Sequence, residues 1–245
     1  MKEFNLNGEK YDGLFLLPID IENKKIHYQL TEYVEIFLKS LRENYGIPAY
    51  DKGSYDGKQG FDMNGNRIEL FLPDGAVSKR FLTLIVPINY LSLERICDLN
   101  QKANGVFQED SYSGDYYLKE RGAIESLISG IEFPFFGEYM FPTILKKAAH
   151  MMYLIARYQS FSNGNKRTAL LSTIDFLHIN YLKFDFKDNL QEKLYDFCLG
   201  IAKNEKSEKD TEDFLHQHVV MNFEIIDDVV SKNVFFKKVD NYTNM

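Results

Sequence analysis

One short stretch of this chain combines a glycine, amide side chains and two adjacent cations. Residues 159–168 read Gln-Ser-Phe-Ser-Asn-Gly-Asn-Lys-Arg-Thr and lie between two apolar stretches with helical spacing. The first amides of a helix lack partners within the helix and carry a partial positive charge, so they attract anions. Gly164 permits the close backbone approach that an anion needs, and Lys166 and Arg167 add full charge. The stretch predicts a phosphate-binding turn, and a capped turn with a solvated Lys-Arg pair is the alternative interpretation.

Two helices have to hold this turn. Apolar residues recur every three or four positions from Pro142, a favourable first helical residue, and the same spacing continues to Gln159. The second helix is predicted to begin at Asn165 or Lys166 and to end near Asn180, which is a tolerable terminating residue. Its buried face is predicted to carry four residues: Leu170, Thr173, Ile174 and Leu177.

The wider stretch resembles the Fic/Doc (Fido) superfamily. The family signature has a histidine, a phenylalanine, an acidic or amide residue, a small residue, an asparagine and an arginine at fixed spacing. Lysine before the arginine, with Thr-Ala-Leu after it, is closer to the Doc ("death on curing") branch than to the Fic branch. Further matching pieces at 121–126, 147–149 and 200–204 extend the resemblance over roughly residues 90–220. Six motif residues fall in register: Phe161, Asn163, Gly164, Asn165, Lys166 and Arg167.

The resemblance implies a mainly α fold, in which residues 89–220 form a Fic/Doc-type helical bundle. Residues 1–88 lie outside the resemblance and predict a small mixed α+β region, either a docking or regulatory domain or extra layers packed on the bundle. We expect a helix near 29–44, a loop at 45–61, a turn at Asn64-Gly65, a strand at 67–72 and an apolar run at 81–88. Residues 221–245 are assigned as a C-terminal tail that contains a possible closing helix or strand.

Members of this superfamily move AMP, another nucleotide fragment or, in Doc, a phosphate from a nucleotide onto a hydroxyl of a target protein. The resemblance therefore implies ATP or another nucleotide and Mg²⁺ as cofactors. A flap at residues 131–139 would align the target, although an aromatic loop packed on the core fits that segment equally well. In the Doc branch a separate antitoxin protein usually inhibits the enzyme. The phosphate-binding residues would be Asn163, Gly164, Asn165, Lys166 and Arg167, with Asn163 also placing the metal.

The chain departs from the family pattern at two positions of the motif. The family histidine is the general base that takes the proton from the target hydroxyl, and here Gln159 occupies that position. Loss of a general base costs about 10² to 10⁴ in rate, or about 3 to 5 kcal/mol of barrier. Many Fic proteins have a metal-binding carboxylate where this chain has Asn163, and a neutral amide binds Mg²⁺ more weakly.

These departures leave two functional hypotheses. The first is a protein-modifying transferase of impaired activity, with Arg167 and Gln159 at the catalytic positions. The second is an inactive regulator that binds a nucleotide or a protein. No histidine is an obvious substitute for the missing base, and His150 precedes Gln159 by nine residues, which is the opposite side of a helix.

Composition narrows the classes of partner. A net charge of −7 and a pI near 5.3 argue against a nucleic-acid partner, because duplex binding requires a basic surface. Cys97 and Cys198 lie in apolar contexts and are expected to behave as small hydrophobic residues. No apolar run reaches the length of a membrane span, and the N-terminus does not resemble a signal peptide. We therefore expect a cytoplasmic protein without a membrane partner.

Overall fold

The computed structural model describes residues 1–47, 60–64, 66–71, 76–106, 117–187 and 189–233. The described residues divide into two compact units, one formed by those within 1–19, 33–87 and 220–233 and the other by those within 20–32 and 88–219. Helices account for most of the regular structure, which confirms the mainly α prediction. Most of the predicted loop at 45–61 and Gly65 of the predicted turn lie outside the described residues.

The described residues form sixteen elements, which we number in chain order. The strands are β1 (Phe4–Leu6), β2 (Glu9–Tyr11), β3 (Gly13–Pro18), β4 (Gly60–Asn64), β5 (Arg67–Phe71), β6 (Val77–Val86), β7 (Leu182–Phe184) and β8 (Val219–Met221). The helices are α1 (Ile26–Tyr45), α2 (Leu93–Val106), α3 (Arg121–Glu132), α4 (Ile144–Tyr158), α5 (Asn165–Ile179), α6 (Leu190–Ala202), α7 (Glu208–His218) and α8 (Phe223–Lys232). Every helix in the described part of the chain is too short or too polar to cross a membrane.

The first unit is built on a four-stranded sheet with the order β3-β6-β5-β4. Strand β6 pairs in parallel with β3 and antiparallel with β5. It begins four residues before the predicted apolar run, because its polar start also pairs with β5 and places Arg80 Nε 2.6 Å from Glu69 Oε1. The predicted helix at 29–44 is confirmed by α1, and the predicted strand at 67–72 is confirmed as far as residue 71.

Aromatic residues fill the core of this unit. The ring of Phe37 in α1 lies 4.4 Å from the ring of Phe15 in β3 and 5.0 Å from that of Phe81 in β6, measured between centroids. Phe223, the first residue of α8, adds an edge contact at 6.2 Å. The segment after Val220 therefore contains a helix whose first residue belongs to this core.

The second unit is organised around α4. This helix contacts α3, α5, α6 and α7, and its core residues Ala148, Met152 and Ile155 are fully buried. The predicted periodicity is thus correct, but both predicted ends need correction. Pro142 is not the first helical residue, because Thr143 is the N-cap and its hydroxyl accepts a hydrogen bond from Lys146 N. Gln159 does not continue the buried stripe, because it adopts a left-handed conformation after the last helical residue and is exposed.

Helix α5 begins and ends where the sequence predicts. It runs from Asn165 to Ile179, with Asn180 as the C-cap. Of the predicted buried face, Thr173 and Leu177 are buried, whereas Leu170 and Ile174 are only half-buried. The difference arises because α5 packs against α2 as well as α4, so its buried face also takes in small polar residues such as Thr168 and Ser172.

A buried carboxyl group of the second unit meets the start of α4. Glu32 accepts a hydrogen bond from Thr143 Oγ1 at 2.7 Å and from Leu145 N at 3.0 Å. His216 Nε2 lies 3.6 Å from the same carboxylate. Burial raises the pKa of Glu32 to about 7 despite these hydrogen bonds, because the charged form has lost its hydration.

This pKa shift predicts that Glu32 makes the protein less stable as the pH rises. The folded pKa lies above the unfolded value, so the cost is absent below about pH 4.5 and grows to about 3 kcal/mol above pH 7. The substitution Glu32→Gln keeps an acceptor but removes the charge, so the variant should gain unfolding free energy relative to the natural chain between these pH values. Urea unfolding at several pH values measures the difference, with Glu35→Gln on the exposed side of α1 as the control. Parallel pH profiles for Glu32→Gln and the natural chain would contradict the shift.

Candidate functional site

The loop between α4 and α5 starts at a residue with unusual backbone geometry. Gln159 has φ 49° and ψ 45°, which ends α4 and turns the chain. The next carbonyl, that of Ser160, accepts hydrogen bonds from Lys119 N at 2.8 Å and Glu120 N at 3.1 Å. Phe161 then pairs with Leu118 in an isolated antiparallel bridge, and its side chain is fully buried. The loop is therefore held by the backbone before α3 and by one aromatic anchor in the core.

The side chain of Asn165 closes the loop from the other end. Its Oδ1 accepts a hydrogen bond from Phe161 N, and its Nδ2 donates to Phe161 O, each at 2.9 Å. The side-chain amide thus pairs with Phe161 as a neighbouring strand would. Because Asn165 is also the first residue of α5, this pair fixes the distance between the aromatic anchor and the start of the helix.

A second asparagine, which the sequence did not single out, supports the loop from α2. Asn100 is buried, and its Nδ2 donates to Asn163 O at 2.9 Å and to Thr168 Oγ1 at 2.8 Å. The Thr168 hydroxyl in turn donates to Gly164 O at 3.0 Å. Asn100 lies 63 residues before Asn163 in the chain, so only the folded structure reveals this contact.

The first turn of α5 carries the glycine and the two cations of the motif. Gly164 is the N-cap, with φ 74°, a conformation that a residue with a side chain adopts rarely. Lys166 and Arg167 follow as the second and third helical residues. Arg167 Nη1 donates to Ala103 O at 3.2 Å, which directs the guanidinium toward α2.

These groups line one cavity of about 260 Å³. Every residue that the sequence proposed for catalysis or phosphate binding contributes to its wall. The sequence analysis did not identify two lining residues in α6, Tyr195 and Ala202. The helical spacing of α6 shows which of its faces is buried, but not which other element packs against that face. The described lining residues are Ala156, Gln159, Ser162, Asn163, Gly164, Asn165, Lys166, Arg167, Tyr195 and Ala202.

The cavity suits an anion and does not suit a magnesium ion held by protein groups. No carboxylate is among the lining residues that the structure describes, and Mg²⁺ in proteins normally takes one or two carboxylates. The single amide oxygen proposed for the metal, Asn163 Oδ1, already accepts a hydrogen bond from Gly164 N at 2.7 Å. Within the described ranges the structure also has no cluster of three or more histidine, cysteine or acidic side chains that could hold a metal.

Gln159 lies in the cavity wall at the position of the family histidine, and an amide accepts no proton near neutral pH. The described lining residues include no histidine that could replace it. His150 instead stacks on the ring of Phe141 with centroids 3.8 Å apart, and its Nδ1 lies 3.0 Å from Glu208 Oε1. The described lining therefore offers cations and hydrogen-bond donors, but neither a histidine nor a carboxylate that could act as a base.

The segment predicted as a flap contains a tight hairpin turn. Residues 131 and 132 still belong to α3, which corrects the predicted start. Phe135 and Glu138 exchange backbone hydrogen bonds of 2.8 and 3.1 Å around Phe136 and Gly137. Both central residues have positive φ, 50° and 78°, as in the turn type that joins two-stranded hairpins. Phe136 is 93% exposed, so the aromatic tip is not packed on the core.

Comparisons with known proteins agree with this site. Residues 90–177, which include the loop and most of α5, match the Fic/DOC family model. Toxin Doc of Mycolicibacterium smegmatis (strain ATCC 700084 / mc(2)155) is 29% identical over 86 residues. That match covers 34% of this chain and 66% of the relative, slightly less than two thirds of its length. The motif in register and these matches together support the assignment of residues 90–177 to the Fic/Doc superfamily.

Proposed function

We propose that this protein binds the phosphates of a nucleotide such as ATP in the cavity beside α5 and transfers AMP or a phosphate to a hydroxyl of a target protein. The observation that carries the proposal is that all the motif residues named for this chemistry line one cavity. Gln159 makes the transfer slow. The similarity to Toxin Doc further supports a role as the toxin of a toxin-antitoxin pair, with a separate protein as the antitoxin.

Phosphate binding in this proposal relies on three kinds of group. The start of α5 supplies backbone amides and the positive end of the helix dipole. Arg167 supplies a planar fork that matches two phosphate oxygens, and Lys166 supplies a point charge. The described lining residues offer no carboxylate to magnesium, so we assign no step to the metal. A nucleotide that arrives with bound magnesium would bring the ion through its own phosphates.

The transfer step depends on positioning more than on proton removal. Phosphoryl transfer is catalysed mostly by alignment and charge stabilisation, so a site without a base keeps part of its activity. Gln159 can still orient a target hydroxyl, because its amide both donates and accepts hydrogen bonds. The target is a protein segment in this proposal, aligned by the hairpin at residues 135–138.

A second candidate function is favoured by the same residue. If Gln159 and Asn163 together abolish transfer, the cavity serves a regulator that binds a nucleotide without consuming it. The absence of both a base and a metal carboxylate among the described lining residues supports this candidate. The two functions differ in transfer and share nucleotide binding, so both quantities have to be measured.

Restoring the histidine should separate these candidates. The substitution Gln159→His should raise transfer about 10²-fold to 10⁴-fold, because it supplies a general base. Histidine tolerates the left-handed conformation found at this position, so α4 should end as before. Purified protein is incubated with bacterial lysate and ATP labelled on the α or the γ phosphate. Label from the α position indicates AMP transfer, and label from the γ position alone indicates phosphate transfer.

The matched control is Gln159→Asn. Asparagine adopts the same left-handed conformation and keeps an amide, but it supplies no base. It should therefore leave transfer at the level of the natural chain. If the natural chain and Gln159→His both bind ATP without transferring label, the regulator is the function. If none of the three proteins binds ATP in calorimetry, both proposals are wrong.

Removing the fork of Arg167 should weaken nucleotide binding. The substitution Arg167→Ala deletes hydrogen bonds between charged groups, and because the loss of even one costs about 1.5 to 3 kcal/mol, the dissociation constant for ATP should rise at least about tenfold. Titration calorimetry with ATP measures this change. The control is Arg157→Ala in the last turn of α4, which is not among the lining residues and should leave the affinity unchanged. Equal affinities for Arg167→Ala and the natural chain would exclude the assigned role.

A further inference from the structure

Helix α4 contains a buried lysine that the proposed reaction does not use. Lys147 is 1% exposed, among apolar neighbours of the same helix. Lysine is rarely buried completely, because removing the ammonium from water is costly unless other groups stabilise it. The groups that stabilise Lys147 therefore indicate why this helix carries a charge in its interior.

Those groups come from both sides of the hairpin. The ammonium donates a hydrogen bond to the carbonyl of Ile131, in the last turn of α3, where carbonyls lack partners within the helix. It also lies 4.9 Å from the centroid of the Tyr139 ring, directly after the hairpin, and 5.4 Å from that of Tyr90. One ammonium thus contacts the residue before and the residue after the segment 132–138.

Apart from its own backbone hydrogen bonds, the segment between these two contacts packs few side chains against the rest of the unit. Phe133, Phe135 and Phe136 are 58%, 66% and 93% exposed, so their rings do not anchor it. Near its end, Glu138 forms an ion pair with Lys25 at 3.6 Å, and both partners are largely exposed. An exposed ion pair contributes little, so the buried ammonium is the stronger of these two contacts with the rest of the unit.

Two acidic side chains near Lys147 help to keep its ammonium charged. Asp20 and Glu132 favour its charged form, and Asp20 also accepts a hydrogen bond from the hydroxyl of Tyr139. Burial lowers the pKa of Lys147 to about 8, so the ammonium is mostly charged at neutral pH. Burial raises the pKa of Tyr139 to about 12 and that of Tyr90 further, so both rings stay neutral there.

We propose that Lys147 is a positioning residue that clamps the base of the hairpin at 135–138 and holds it in register with the motif loop. Helix α4 carries Lys147 in its first turn and ends at Tyr158, directly before Gln159, so about 18 Å of its length separates the two residues. A buried helix transmits position along that length. This inference rests on the proposed function in one respect, the alignment of the target by the hairpin. The clamp itself requires neither nucleotide nor transfer.

The test measures the order of the hairpin directly. In Lys147→Met the side chain keeps a similar length and loses its charge and its donor. Amide hydrogen exchange at Phe135 and Glu138, whose N–H groups bond across the turn, should become about tenfold to thirtyfold faster, the equivalent of losing a desolvated cation–π contact. Exchange in the loop at 160–167 and the affinity for ATP should not change. Lys146→Met, the neighbour with an exposed side chain, is the control and should alter neither region.

A pair of variants on the other partner keeps the test informative if Lys147→Met does not fold. Tyr139→Leu removes the ring under the ammonium and should release the hairpin, whereas Tyr139→Phe keeps the ring and should retain its protection. Unchanged exchange in both Lys147→Met and Tyr139→Leu would overturn the clamp.

The link to transfer is measured separately. With Gln159→His as the background, Lys147→Met should lower transfer to the target protein while ATP affinity stays constant. Faster exchange with unaltered transfer would confine Lys147 to a structural role. A background that transfers no label at all would contradict the proposed function and leave the exchange result standing.

Discussion

Burial of α4 on several sides determines where the second unit can place polar groups. A helix surrounded by α3, α5, α6 and α7 has to present apolar or small side chains along most of its length. Polar groups are then confined to its ends or need compensation where they occur. Glu32 meets its first turn, Lys147 receives a carbonyl and two rings, and Gln159 follows its last residue. These three polar side chains of the second unit thus lie at or near the two ends of one buried helix.

The cavity at the carboxyl end of α4 is lined by positively charged groups, although the protein as a whole is acidic. The chain has a net charge of −7, yet the described lining of the cavity contains two cations, a helix start and no carboxylate. Anions are therefore attracted to this place in spite of the overall charge, because local charges act over a few ångströms and distant ones are screened by salt. The same distribution disfavours a divalent cation that has no phosphate to accompany it.

The sequence singled out most of the residues that line this cavity, but it did not reveal the contacts that distant elements make with them. Gly164 and Asn165 marked the start of α5 because glycine and asparagine suit a helix entry, and the periodic apolar residues marked α4. Spacing alone could not show that Gln159 leaves the helix, since a left-handed residue other than glycine carries no periodic signal. Asn100 and Tyr195 were beyond reach, because their contacts join elements that are distant along the chain.

The structure separates the residues that shape the loop from the residue that would remove a proton. Phe161, Asn165 and Asn100 hold the loop through burial and paired hydrogen bonds, and none of these contacts involves the side chain of Gln159. Gln159 needs only a conformation that asparagine and histidine also adopt, and its side chain lies in an exposed position. A change of residue there alters the chemistry at little cost in stability. Under the proposed function, the identity of position 159 therefore decides between transfer and binding, while the fold and the cavity stay the same.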